Sequence, residues 1–94
     1  MPNLNFTTPL HKFNNGLSYT AIKDCYVTGT MYHGQVLEVN NTVIFSLSLA
    51  TGNVYSFNVL SYMKNCLIPP FKISVGDVIT INASNGAMGV YEEL

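Results

Sequence analysis

The stretch Phe71–Leu94, FKISVGDVITINASNGAMGVYEEL, decides how this chain is read. It holds two apolar runs, VITI and MGVY, separated by turn residues, and then the sequence ends on EEL. A terminal segment that is not tied down frays, so apolar residues placed here are expected to form integral strands of the fold. SVGD at Ser74–Asp77 is expected to be a turn whose Asp77 carboxylate bonds its own backbone, and NGA at Asn85–Ala87 a second turn.

The same pattern extends upstream. In NTVIFSLSLATG, Val43, Phe45, Leu47 and Leu49 fall on one face and Ile44, Ser46, Ser48 and Ala50 on the other, the period-two alternation of a half-buried strand. Gly52-Asn53 then turns the chain into VYSFNVLS, and the two runs read as a hairpin. CYVTGTMY places Val27, Gly29 and Met31 on one face; HG turns it into QVLEV, and Asn40-Asn41 turns it again into Thr42. IPPF at Ile68–Phe71 reads as a loop or crossover, because Pro69 and Pro70 each remove a ladder donor. No stretch of helical spacing carries a cap. The expectation is an all-β, single-domain antiparallel β-sandwich of jelly-roll type, with residues 1–17 as an N-terminal arm or first strand and residues 18–94 as the sandwich.

Composition limits what such a domain does. Ninety-four residues suffice for one domain, and with 48% apolar and only 10% charged residues the apolar surface exceeds what so small a core needs. No apolar run approaches the about 18 residues of a membrane span, and MPNLNFTTPLHKF has neither the basic flank nor the apolar core of a signal peptide. No membrane insertion is expected, and the apolar excess is read as an oligomer interface. The four lysines, Lys12, Lys23, Lys64 and Lys72, are scattered and the net charge is -1, so nucleic acid is not an expected partner. Cys25 and Cys66 lie in apolar runs and are read as two buried thiols.

Groups able to do chemistry are few. His11, His33, Asp24, Asp77, Glu38, Glu92, Glu93 and the cysteines form no recognised constellation, so no enzyme, cofactor or metal is expected. Cys25 and His33 lie eight positions apart, a long separation on a strand, and are read as a buried thiol and a turn histidine. Glu92-Glu93 reads as solvated charge. What remains is six tyrosines and many asparagines, flat apolar faces and paired donors and acceptors of the kind sugar rings require, though Tyr in strands and Asn in turns are also ordinary β chemistry.

From about Ser18 onward, SYTAIKDCYVTGTMY, the VLEVNNTVI hairpin and the closing FKISVGDVITINASNGAMGVYEEL together resemble the small β-sandwich head domains of bacteriophage tail fibres and receptor-binding proteins. The family opening YTAP.DGYV.G is met here with Ile22-Lys23 in place of Pro and Asp24-Cys25 in place of Asp-Gly, while SVGDVITI and the final VYEEL keep to the pattern. The resemblance implies a homotrimer in the virion whose apolar faces pack around a threefold axis, either as a stand-alone small protein or as a head without its shaft. It implies binding to a host-surface receptor, expected to be a glycan, on strand-end loops or between subunits, with Tyr32, His33, Gln35 and Asn85 as the candidate site residues. The alternatives are a structural virion protein, for capsid decoration or tail assembly, that binds only other virion proteins, and a small carbohydrate-binding module.

Overall fold

The computed structural model describes residues 3–14, 17–32, 34–46, 65–82 and 86–94. They form eight strands: β1 (His11–Lys12), β2 (Ser18–Thr20), β3 (Cys25–Tyr32), β4 (Val36–Val39), β5 (Thr42–Ser46), β6 (Asn65–Ile73), β7 (Val78–Ile81) and β8 (Met88–Tyr91). All pairings are antiparallel, in one sheet of order β1-β8-β3-β6 and a second of order β2-β7-β4-β5. The described residues contain no helix.

Alternation places the core. Cys25, Val27 and Met31 of β3, Met88 and Val90 of β8, and Ile68, Phe71 and Ile73 of β6 turn inward from the first sheet. Leu37 and Val39 of β4, Ile44 and Phe45 of β5, and Ile79 and Ile81 of β7 belong to the same buried cluster from the second. The two final runs of the sequence are strands β7 and β8, and β8 lies between β1 and β3. The N-terminal residues run beside it: Leu10 N donates to Val90 O at 2.8 Å, Asn5 N to Glu92 O at 2.8 Å, and Leu4 bridges Glu93.

Two expectations need correction. IPPF is strand, not loop or crossover: Pro69 and Pro70 lie within β6, which pairs with β3 and stands last in its sheet among the described residues. The register slips by one residue there, since Val27 pairs Phe71 but Gly29 pairs Ile68. A bulged strand with one free side is where missing N–H groups are tolerated. The second correction concerns β5, where Leu37 pairs Phe45 but Glu38 pairs Val43, leaving Ile44 as an extra residue. Both Ile44 and Phe45 are buried while Val43 is exposed, so Val43 and Phe45 do not share a face. Leu47, Leu49 and the expected partner run VYSFNVLS lie outside the described residues.

The turns follow their residue chemistry. Asn40 and Asn41 have φ of 52° and 67°, the left-handed pair of a two-residue hairpin, and they join β4 to β5. Asp77 accepts Ser74 N at 2.8 Å, as expected, and also Asn40 Nδ2 at 3.1 Å, while Asn40 Oδ1 accepts Val78 N at 2.9 Å. The backbone bond from Ser74 first, and that from Asn40 second, hold the Asp77 carboxyl below its ordinary value. A carboxylate with a lowered folded pKa stabilises above its unfolded value, 3.8, and that contribution is lost as pH falls through the folded value. Asp77→Ala is therefore expected to melt below the parent at neutral pH, with the gap narrowing in melts taken at progressively lower pH beneath that value. A gap independent of pH would remove the carboxylate from the account.

Candidate functional site

The outer face of the first sheet carries a groove of about 480 Å³. Thr28 and Gly29 of β3 form its floor, Leu67, Ile68, Pro69 and Pro70 of β6 one wall, and Tyr91 of β8 with Phe6 the other. Each side chain is there for a local reason. The bulge in β6 offsets Ile68, and the Thr28 hydroxyl donates to the Ile68 carbonyl at 2.6 Å, which satisfies a ladder group and turns the proline pair into a ridge.

Tyr91 lies back along its own strand. Glycine at 89, two residues earlier on the same face, leaves the space: a Cβ there would stand 2.7 Å from the Tyr91 hydroxyl and 2.9 Å from Lys12 Cδ. Lys12 Nζ donates to that hydroxyl at 3.0 Å and sits 5.6 Å from the ring centroid. The phenol oxygen thereby serves as acceptor and keeps its own hydrogen for a ligand. Asn5 folds the N-terminal segment into a side-chain-bonded turn, its Oδ1 accepting Thr7 N at 3.1 Å and its Nδ2 donating to Thr8 Oγ1 at 2.9 Å. This turn holds Phe6 above the sheet, 62% exposed, with its ring edge-on to Tyr91 at 4.8 Å.

No family model, curated protein or solved structure matches this chain.

Of the four residues expected from sequence, Tyr32 and Gln35 are brought together at the turn between β3 and β4. Tyr32 is exposed on the end of β3; Gln35 is buried, its carbonyl accepting Tyr32 N at 2.8 Å while its own N–H donates to Tyr32 O at 3.0 Å. The Gln35 side chain thus closes the turn and does not present itself to solvent. His33 and Asn85 lie outside the described residues. The groove residues Phe6, Leu67, Pro69 and Tyr91 were not among the expected site residues, being spread from one end of the sequence to the other, with Pro69 read only as a strand breaker; the single local cue is the Gly-x-Tyr spacing of Gly89 and Tyr91.

Around the groove the charges are paired at the surface. Lys23 meets Glu92 at 2.8 Å, Lys72 reaches Asp24 at 3.9 Å, and Tyr26 donates to Glu93 at 3.3 Å. Both cysteines are free; Cys25 is fully buried and Cys66 half-buried. Burial first, and then the neighbouring Asp24, push the Cys25 thiol above its ordinary value, so it stays protonated and is a poor nucleophile. Among the described residues no three His, Cys, Asp or Glu side chains gather to hold a metal ion. What the site offers is a partly apolar slot with one polarised hydroxyl, an arrangement suited to binding.

Proposed function

We propose that this chain is a non-enzymatic binding domain of jelly-roll type, the homotrimeric head of a virion attachment protein, and that it takes the ring face of a host-surface glycan in the groove between Tyr91 and Pro69. Strand order supports the jelly-roll part. Successive described strands switch sheets except at the β4–β5 hairpin, β8 returns beside β1, β7 returns beside β2, and the result reads as two Greek keys wound together. Jelly rolls recur in viral capsid and lectin domains, although fold by itself does not fix function.

The observation that carries the binding reading is the groove. A pyranose has one apolar C–H face and a rim of hydroxyls, and the slot pairs aromatic and proline walls with the Tyr91 hydroxyl at one side. Phe6 and Leu67 are well exposed, so Phe6→Ala and Leu67→Asp are expected to leave the melting temperature unchanged. Each is expected to weaken binding to glycans retained on an array by about tenfold, a loss of about 1.4 kcal/mol. Light scattering on a sizing column is expected to give a three-chain mass. Absence of any glycan signal above a denatured control would overturn the receptor reading, and a single-chain mass the trimer.

A structural virion protein is the second reading, and the apolar rim of Leu67 and Phe6 is what favours it, since protein side chains also fill such a slot. Addition of the purified chain to particles lacking it, with capture that Leu67→Asp abolishes and no retention on glycans, would establish that reading over the first.

A further inference from the structure

We propose that β1 is a pH-sensitive strap: protonation of His11 between the two sheets loosens β1 from β8 and, through Lys12 and Tyr91, unmakes one wall of the groove. The consequence for ligand rests on the binding reading above, whereas the strap itself does not.

Strand β1 is only two residues long, and it places them on opposite faces. His11 points inward, its ring stacked on Tyr19 of β2 at 4.7 Å and edge-on to Phe13 at 4.8 Å. Tyr19 belongs to the other sheet, so His11 spans the seam where the first strands of the two sheets meet. Its Nε2 is buried with no hydrogen-bond partner among the described residues. A neutral imidazole leaves one ring nitrogen unmet there in either tautomer; an imidazolium would place a charged donor in the same spot with nothing to receive it, a costlier burial.

Among the described residues no carboxylate acts on His11 to repay the charge, and the charged group that reaches its stacking partner Tyr19 is the cation Lys23. Tyr19 approaches from β2 and Cys25 from β3 behind it, and burial raises both above their ordinary values, keeping them neutral. Lys12 and Tyr91 lie on the opposite face of β1 and β8. Burial alone acts on His11 and lowers its pKa from 6.5. A histidine whose folded value is lowered leaves the closed form at full strength above the unfolded value and weakens it as pH falls below. The strap is a two-residue ladder on β8 flanked by Leu10 N to Val90 O at 2.8 Å and Phe13 N to Met88 O at 3.1 Å, with the buried Phe13 anchoring its far end and accepting from Gly86 N at 3.1 Å, so the opening expected is local to β1. On its outer side Lys12 grips Tyr91, so release of β1 frees the ring that walls the groove.

The test is amide hydrogen exchange by NMR on the full chain, between about pH 7.5 and about pH 5.5, on either side of the ordinary histidine value, with rates normalised to the intrinsic ones. Opening at the Leu10 and Phe13 amides is expected to rise with acid, at most about tenfold per pH unit for one proton taken up. His33→Gln is expected to keep that slope; His11→Phe, or His11→Leu should the first not fold, is expected to flatten it. The Tyr91 ring resonances are expected to move along the same curve in the parent and to stay fixed in the His11 variants. A parent with no slope, or His11 variants that retain it, would overturn the strap. A slope with unmoved Tyr91 signals would overturn its coupling to the groove, and a chain that binds no glycan yet shows the slope would separate the strap from the binding reading.

Discussion

Gly29→Ala is expected to cost on the order of 4–5 kcal/mol, most of the stability of a domain this size, and Gly29→Val to leave no cooperative unfolding transition at all. Gly29 has a φ of +143°, a conformation that side-chain-bearing residues occupy at a strain of about 1–3 kcal/mol. A Cβ there would stand 2.1 Å from the Ala87 carbonyl oxygen and 2.7 Å from Met88 Cα, both backbone atoms that no rotamer change can move. Relief requires β8 to shift away from β3. That shift breaks the bond from Thr30 N to Ala87 O, now 3.0 Å, and others of the ladder at about 1 kcal/mol each, and it withdraws buried Met88 and Val90 from the core. Gly89→Ala is the matched control, because the atoms nearest its Cβ would be side-chain atoms of Tyr91 and Lys12 and not backbone. Those can swing aside, so Gly89→Ala is expected to reshape the groove wall at a smaller cost in stability. Urea denaturation followed by circular dichroism measures both, and a Gly29→Ala within about 1 kcal/mol of the parent would refute the close-approach account.

This glycine shows what the sequence conveyed and what it withheld. Alternation in CYVTGTMY put Gly29 on one face with Val27 and Met31 but could not show how closely β8 approaches it, and alternation in VITI and MGVY correctly marked β7 and β8. The Asn-Asn and SVGD turns were equally legible, because left-handed backbone and self-bonding carboxylates belong to few residue types. Strand order was less so. That β8 inserts between β1 and β3 is decided by long-range pairing, and neither register nor crossing appears in a local pattern. The proline pair misled for a related reason: Pro forbids a ladder bond only on the side that needs one, and which strand ends a sheet is a property of the whole fold. The candidate site suffered most. Gln35 looked like an exposed loop amide, but a turn must satisfy its backbone, and Gln35 does so from within. The groove joins Phe6, Thr28, Leu67 and Tyr91, four positions with no spacing in common.

The bulge in β5 separates two residues that strict alternation would treat alike. Without an extra residue Val43 and Phe45 would share one face, and removing either side chain would cost comparable amounts. With Ile44 inserted, Val43 is 41% exposed whereas Phe45 is 0% exposed, opposite Leu37 on β4 and inside the cluster that joins both sheets. Phe45→Ala removes one of the largest fully buried side chains and leaves a cavity that the neighbouring strands fill only in part; about 3–5 kcal/mol is expected. Ile44→Ala, also buried, is expected to cost about 2–4 kcal/mol. Val43→Ala is expected to stay within about 0.5 kcal/mol, as for surface positions generally. The ordering of the three in urea denaturation is more telling than any one value. Equal losses at Val43 and Phe45 with a small loss at Ile44 would restore the unbroken strand; large losses at the adjacent pair Ile44 and Phe45 are what an extra residue in β5, Ile44, opposite the consecutive Leu37 and Glu38 of β4 requires.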